Sequence, residues 1–550
     1  MTLKGINIDF WLIVLIVSLG LVALFMIYPL SSLFASAFQD NEGIFSFVHF
    51  ETFATRPFFY RALFRSLSVS SLTTVLAVII GASLAYLTTV YKVRGIGIIN
   101  MMVVISMLSP PFIGAYSWIL LAGRNGILAR FFRINFDIVL PSIYGFGGIV
   151  LVMTLSTFPL IYLFTKGALK KVDASLIEAA ESLGCNPIKQ MLNMTLPLIG
   201  PTVLAAALLA FMDAFTDFGT PMLLGEGFIV MPVLIFNEFM GELGGRPNFA
   251  AALSVIMVLI TAALFMVQKY IIGRKSFAMS SLRPISAKQL KGSVNVLVHA
   301  YIYGVIAFVA IPQIVVIYTS FRATRGPVFI EGFSLDSYAL IFRTLATPIR
   351  NTYVFSLVAI AIIIIMSMFI AYLTVRRKNA ATNTLDYMAM LPFVLPGSVI
   401  GITLIMAFNG TPFLLIGTST IMILAFVIRR LPYTLRSSSA ILHQISPSME
   451  EAAISLGDTP LKAFFKVTAI MMIPGVVSGA LLSWVTIINE LNASVLLFTA
   501  RSRTMTVVIY QEVIRANHGA AAALASILIL TTVISLLLFF KLTGNKEISM

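Results

Sequence analysis

Cysteine, histidine and charge are all scarce in this chain. The single cysteine, Cys185, leaves no partner for an internal disulfide. Four histidines (His49, His299, His443 and His518) are scattered without metal-ligand spacing, so no metal site is expected. No Gly-Lys dipeptide occurs, which removes a Walker-type phosphate loop; a nucleotide that drives this protein must sit on another subunit. Charged residues are only 11% of the chain. A soluble domain carries roughly 25%.

What fills the sequence instead is apolar. Hydrophobic residues make up 59% of its 550 positions, and mean hydropathy is +0.99. This describes a polytopic, all-α membrane protein. The net charge of +15 then follows from positive-inside topology and not from nucleic-acid binding. The first apolar run, Phe10–Phe38, ends in Ala35-Ser36-Ala37, which resembles a signal-peptidase site. It is much longer than the roughly 7–15 residues of a signal-peptide core, so it reads as a retained first span. Further runs of spanning length lie at about 62–90, 98–122, 138–165, 192–218 and 249–272. Six more follow at about 295–321, 350–375, 385–409, 412–438, 467–499 and 517–541. The expected architecture is twelve transmembrane helices in two tandem six-helix halves, 1–272 and 295–550, joined by a basic linker at 273–294. Both termini then face the cytoplasm. Lys92, Lys170, Lys171, Lys189, Lys275, Lys378 and Lys462 fall on that side; Arg56, Arg61, Arg124, Arg325 and Arg350 do not.

Two polar islands interrupt this chain. Asp173–Pro201 reads DASLIEAAESLGCNPIKQMLNMTLPLIGP, and Ser446–Pro474 reads SPSMEEAAISLGDTPLKAFFKVTAIMMIP. A constant offset of 273 residues superposes Asp173 on Ser446, Glu178 on Glu451, Gly184 on Gly457, Pro187 on Pro460 and Pro201 on Pro474. Each reads as two short helices with a bend. Asp173 and Ser446 are N-cap types. Gly184 and Gly457 suit a left-handed C-terminal stop. Asn186-Pro187 and Thr459-Pro460 supply a second cap and a proline at the first helical position. Shorter echoes extend the repeat: AYLTT from Ala85 and AYLTV from Ala371, MLSPPFIG from Met107 and MLPFVLPG from Met390, MPVLIFNE from Met231 and MTVVIYQE from Met505. Six spans return the chain to its starting side. The halves are therefore parallel copies about an axis normal to the membrane, with a pathway at that axis.

The pattern EAA, then glycine, then a proline-bearing apolar segment resembles the EAA loop of type I ABC importer permeases. The resemblance covers essentially the full chain. One departure is Ile470, which stands where the first copy has Pro197 and leaves room for a different bend in the second half. The resemblance implies that loops 173–190 and 446–463 are coupling helices, docked on a homodimer of an ABC ATPase through Glu178, Ala179, Ala180, Gly184, Glu451, Ala452, Ala453 and Gly457. It implies a periplasmic substrate-binding protein on the other face, ATP and magnesium on the partner ATPase, no cofactor in this chain and no covalent chemistry. A single-chain, double-length permease is most similar to the ferric-iron family; fused permeases for thiamine, phosphonates or phosphorylated sugars look alike. An ion-coupled secondary transporter is the competing class. It predicts a basic Gly/Asp/Arg loop after the second span, where only YKVRG from Tyr91 stands.

Candidate pathway groups follow each island's exit helix: Asp213, Thr216 and Asp217 in the first half, Asn489, Glu490 and Asn492 in the second. Asp217 and Glu490 align at the same 273-residue offset. Intramembrane polar groups tend to face cavities. The plainer reading of the pair is that it anchors a helix end or caps a re-entrant turn. Ser109-Pro110-Pro111 and Pro392–Gly397 interrupt apolar runs in matching places, as broken helices at a translocation site would, or as packing kinks would. Arg429 and Arg430 read as interfacial residues at the inner end of a span.

Overall fold

The computed structural model describes residues 2–3, 6–7, 9–40, 42–241, 245–274, 287–326, 328–410 and 413–543. Helices occupy all twelve expected places, and among the described residues nine of them are both long and apolar enough to cross a membrane unaided. Two more places hold bent pairs. Ile96–Leu108 meets Pro111–Phe136 at 99°, and Ala380–Phe393 meets Gly397–Ala407 at 113°. The breaks fall on the two proline clusters, since proline removes a helical donor and disfavours α geometry in the residue before it. The twelfth place is Ser419–Gln444, long enough to span at 26 residues but carrying Arg429, Arg430 and Arg436. Among the described residues, nine to eleven helices are thus apolar enough to span, and the twelfth place is a helix that carries arginines.

The repeat is visible in this geometry. Phe146–Leu169 and Ser419–Gln444 begin 273 residues apart, each with an internal proline, Pro159 and Pro432. Each half also returns through a short buried helix, Met231–Met240 and Met505–Ile514. Residues Met231–Ile235 and Met505–Tyr510 share one core with Phe112, Phe218, Leu491 and Ala520–Leu528. Side chains from both halves therefore close the seam on that side. Gly219 sits against Phe112 and Leu491, where an added Cβ would come within 2.9 and 3.3 Å.

Contacts along the long helices place both islands on one face. Near the end of Pro57–Val90, Thr88 lies 3.2 Å from the hydroxyl of Tyr162, close to where the first island begins. Just past that helix, the Arg94 carbonyl accepts from Tyr303, near the start of Gly292–Ser320. The far end of Gly292–Ser320 lies beside the upper part of His518–Thr543, through Ser526 and the Val316 carbonyl. That part of His518–Thr543 also meets the start of Ala346–Arg376, through Tyr353 and Thr531 at 2.7 Å. Ala346–Arg376 then runs back, and Arg376 donates to the carbonyls of Leu442 and Ile445 just before the second island. Asp9, before the first span, pairs with Arg377 at 2.6 Å and belongs to the same face. Most of the expected linker lies outside the described residues. Its last part is pinned here, with Lys288 bonding Val90 and Lys92 backbone to backbone.

Candidate functional site: two levers and a charged cavity

The two islands fold alike, bond for bond. Asp173 accepts from the Ser175 amide at 2.9 Å, and Ser446 from the Ser448 amide at 3.4 Å. Helices Ala174–Ser182 and Pro447–Ser455 follow, nine residues each. Gly184 and Gly457 take φ of +77° and +99°, a conformation that glycine adopts without steric cost. The amide after each glycine reaches back five residues, Cys185 to Ala180 and Asp458 to Ala453. This is the Schellman closure that satisfies the last carbonyls of a helix. Asn186 and Thr459 then cap the restart by accepting from Lys189 and Lys462. A widened π turn follows in both copies, Met191–Thr195 and Phe464–Thr468. It forms with Pro197 in one copy and Ile470 in the other, so the missing proline does not change the exit.

On these levers Glu178, Ala179, Glu451 and Ala452 are exposed, as are Gly184 and Gly457; Ala453 is half-buried and Ala180 is buried. The sequence reading missed the apolar groups. Leu183 and Leu456, again 273 residues apart, are 84% and 90% exposed. Leu176 and Met449 form a second such pair. The two levers differ in how they are held. Glu450 accepts from Tyr372 at 2.5 Å and Thr468 at 2.7 Å. The first copy has Ile177 at that position, and its half instead gathers Lys166, Asn100 and Tyr162 beneath the lever.

Above the levers, between the halves, lies a cavity of about 450 Å³. All five pathway candidates, Asp213, Asp217, Asn489, Glu490 and Asn492, line it, with both proline breaks at its wall through Pro110, Pro111 and Pro392. Both residues of the aligned pair line the cavity, and each caps a turn. Asp217 accepts from the Thr220 amide at 3.0 Å and Glu490 from the Ala493 amide at 3.1 Å, the same cap at the same offset.

Arg429 and Arg430 are not interfacial. Both guanidiniums point into this cavity and bond the buried carboxylate of Glu490, Arg430 at 2.7 Å. A lone carboxylate here would cost several kcal/mol, and two charge-assisted bonds offset that. Gly397 makes room, since a Cβ there would fall within 1.8 Å of the Arg429 guanidinium. Asn489 crosses the seam and donates to the Leu108 carbonyl at 2.8 Å, the last one before the first break. Sequence spacing could not reveal the arginine pairing, because the partners stand some sixty positions apart, the arginines on one helix and Glu490 in the turn after another.

A family model described as "Binding-protein-dependent transport system inner membrane component" matches the chain twice, over residues 77–276 and 363–543. The chain belongs to this family. The permease is 28% identical over 543 residues to a ferric transport system permease protein of Actinobacillus pleuropneumoniae, covering 96% of this chain and 77% of the relative. It is 24% identical over 490 residues to an Fe(3+)-transport system permease protein of Haemophilus influenzae, covering 88% and 90%. A molybdenum transport system permease protein of Mycobacterium tuberculosis matches at 24% over 212 residues, 38% of this chain and 78% of that relative. Relatives of this kind are transport permeases, and membership of a family of inner-membrane components, with several apolar helices of spanning length, makes the permease a multi-pass inner-membrane protein.

Proposed function

We propose that this permease imports ferric iron from periplasm to cytoplasm, powered by an ABC ATPase homodimer seated on loops 173–190 and 446–463. A periplasmic binding protein delivers the solute to the opposite face, and both termini lie on the cytoplasmic side. The observation that carries the coupling assignment is the pair of identically capped, exposed levers on one face. Capping at both ends stiffens a short helix, and a stiff element transmits a partner's displacement where a frayed one absorbs it. The packed seam on the far side, with the cavity on the lever side of it, is an inward-facing arrangement in this reading. Likeness to ferric permeases over nearly the whole chain supports iron.

The test is co-purification. The ATPase encoded with this permease comes down with the wild-type chain and is lost with Glu178→Arg plus Glu451→Arg. Equal retention by both forms defeats the coupling assignment. For the solute, proteoliposomes holding permease, ATPase and ferric-loaded binding protein accumulate ⁵⁵Fe in an ATP-dependent manner; no accumulation defeats iron.

A further inference from the structure

The two halves differ on the face away from the levers. Between the broken span and the next long helix, the second half has only residues 408–418. The first half has residues 123–145, and the extra length folds as the helix Ile127–Phe136. Phe146–Leu169 ends beside the first lever, so its start, and the inserted helix before it, lie on the opposite face. Two contacts hold this corner. Arg124 pairs with Glu226 at 2.8 Å, and the Gly145 amide donates to the Leu224 carbonyl at 2.6 Å. Segment Pro111–Phe136 turns 99° from Ile96–Leu108, so the chain has left the direction of that crossing before the inserted helix begins. On the same segment Trp118 packs 5.1 Å from Phe308 of Gly292–Ser320, a spanning helix whose Ile314 and Ile317 are exposed on its lipid side.

No residue of Ile127–Phe136 is buried. At 3.6 residues per turn, Ile127, Leu128, Phe131 and Ile134 share one face, and Arg130 and Arg133 share another. All six are exposed. The rings of Phe131, Phe132 and Phe136 pack on one another with centroids 5.6 to 5.9 Å apart. Asn135 falls within the apolar face, but its amide donates to the Phe131 carbonyl at 2.9 Å. Neither arginine side chain has a hydrogen-bond or ion-pair partner among the described residues. Water suits the arginines and not the apolar face. A protein core suits the apolar face and strands the guanidiniums. The bilayer boundary meets both, with acyl chains under one side of a helix and phosphates beside the other. These arginines also stand on the face that positive-inside topology leaves poor in basic residues, where anionic phosphates supply their counter-charge.

We propose that Ile127–Phe136 is an interfacial helix that binds the anionic phospholipid surface on the face away from the levers. Ile127, Leu128, Phe131 and Ile134 lie among acyl chains, and Arg130 and Arg133 sit on headgroup phosphates. The same segment begins with Pro111 and Phe112 on the cavity wall. Lipid therefore anchors one end of an element whose other end lines the cavity, and only the first half carries this anchor. The proposal does not depend on which solute is carried.

The test places nitroxide spin labels on the full chain in nanodiscs, with Cys185→Ser removing the native thiol. Labels at Leu128→Cys and Ile134→Cys are relaxed more by oxygen than by an aqueous nickel chelate, and a label at Arg133→Cys the reverse, the oxygen-to-nickel ratios differing by about fivefold. Replacing phosphatidylglycerol by phosphatidylcholine moves the Ile134 label toward water, and Arg130→Gln with Arg133→Gln removes that difference between the lipids. Greater nickel access at all three positions puts the helix in water and overturns the proposal. Low access of both agents at Leu128 and Ile134 puts that face against protein and overturns it too. So does immobilisation of these labels when the periplasmic binding protein is added, which makes that protein the occupant. An Ile134 label at the same depth in both lipids overturns the headgroup contact.

Discussion

Leu183 and Leu456 offer the sharpest measure of how the levers engage a partner. Each is a large apolar side chain held almost fully in water, 84% and 90% exposed, at the C-terminal end of a capped helix. Fully burying a leucine is worth about 1.5–3 kcal/mol. Two leucines entering a partner's grooves therefore contribute roughly 4 kcal/mol, or about a thousandfold in affinity. Changing both to aspartate removes this term and adds the cost of desolvating a charge, so a thousandfold loss is the lower bound. Either single change costs about half of it in free energy, or some thirtyfold. Nanodisc-reconstituted permease titrated with labelled ATPase measures these affinities. The helices themselves stay folded, because both leucines lie outside the core, and circular dichroism checks that. If the double variant binds within threefold of wild type, the leucines do not enter the partner and the docking surface lies elsewhere on the loops.

Other expectations follow from single contacts. Glu490→Gln leaves two guanidiniums without their anion; breaking a buried pair costs about 3–5 kcal/mol, so the detergent-purified protein should melt several degrees lower and transport should fail. Gly397→Ala should abolish transport by pushing the Arg429 guanidinium aside, whereas Gly304→Ala, which meets nothing within 4 Å, should leave uptake unchanged. Tyr372→Phe removes one bond to Glu450 and should speed amide exchange in 447–463 while leaving 174–190 as it was; equal change in both loops would mean that the second lever is not separately anchored.

The levers were legible because they are local. Caps, glycine stops and proline restarts are written within a few residues of the bonds they make, so Asp173, Gly184 and Asn186 could be assigned roles before any coordinates. The paired polar positions after each exit helix were legible for a related reason: polar groups are rare enough in these spans to stand out. The arginine pair was not. Residues 429 and 430 sit late in an apolar run, and the run alone resembles a span ending at the interface. Only the approach of Ser419–Gln444 to Glu490, just past the end of Ala469–Ile488, turns them into wall residues. The same pairing explains the span count, because a helix can hold two arginines at membrane depth when it faces a partner and not lipid. The exposed leucines were missed for the opposite reason. In a chain rich in leucine, nothing in the sequence marks these two as the ones left in water.

The bond from Asn489 to the Leu108 carbonyl sets a condition on turnover. That carbonyl ends a helix at membrane depth, where an unsatisfied acceptor is expensive, and it is met by a side chain from the opposite repeat. Any rocking that parts the repeats must strand it unless a solvent molecule or the passing solute takes the amide's place. Opening at this height is therefore a hydration event, and a dry, widened state should not persist.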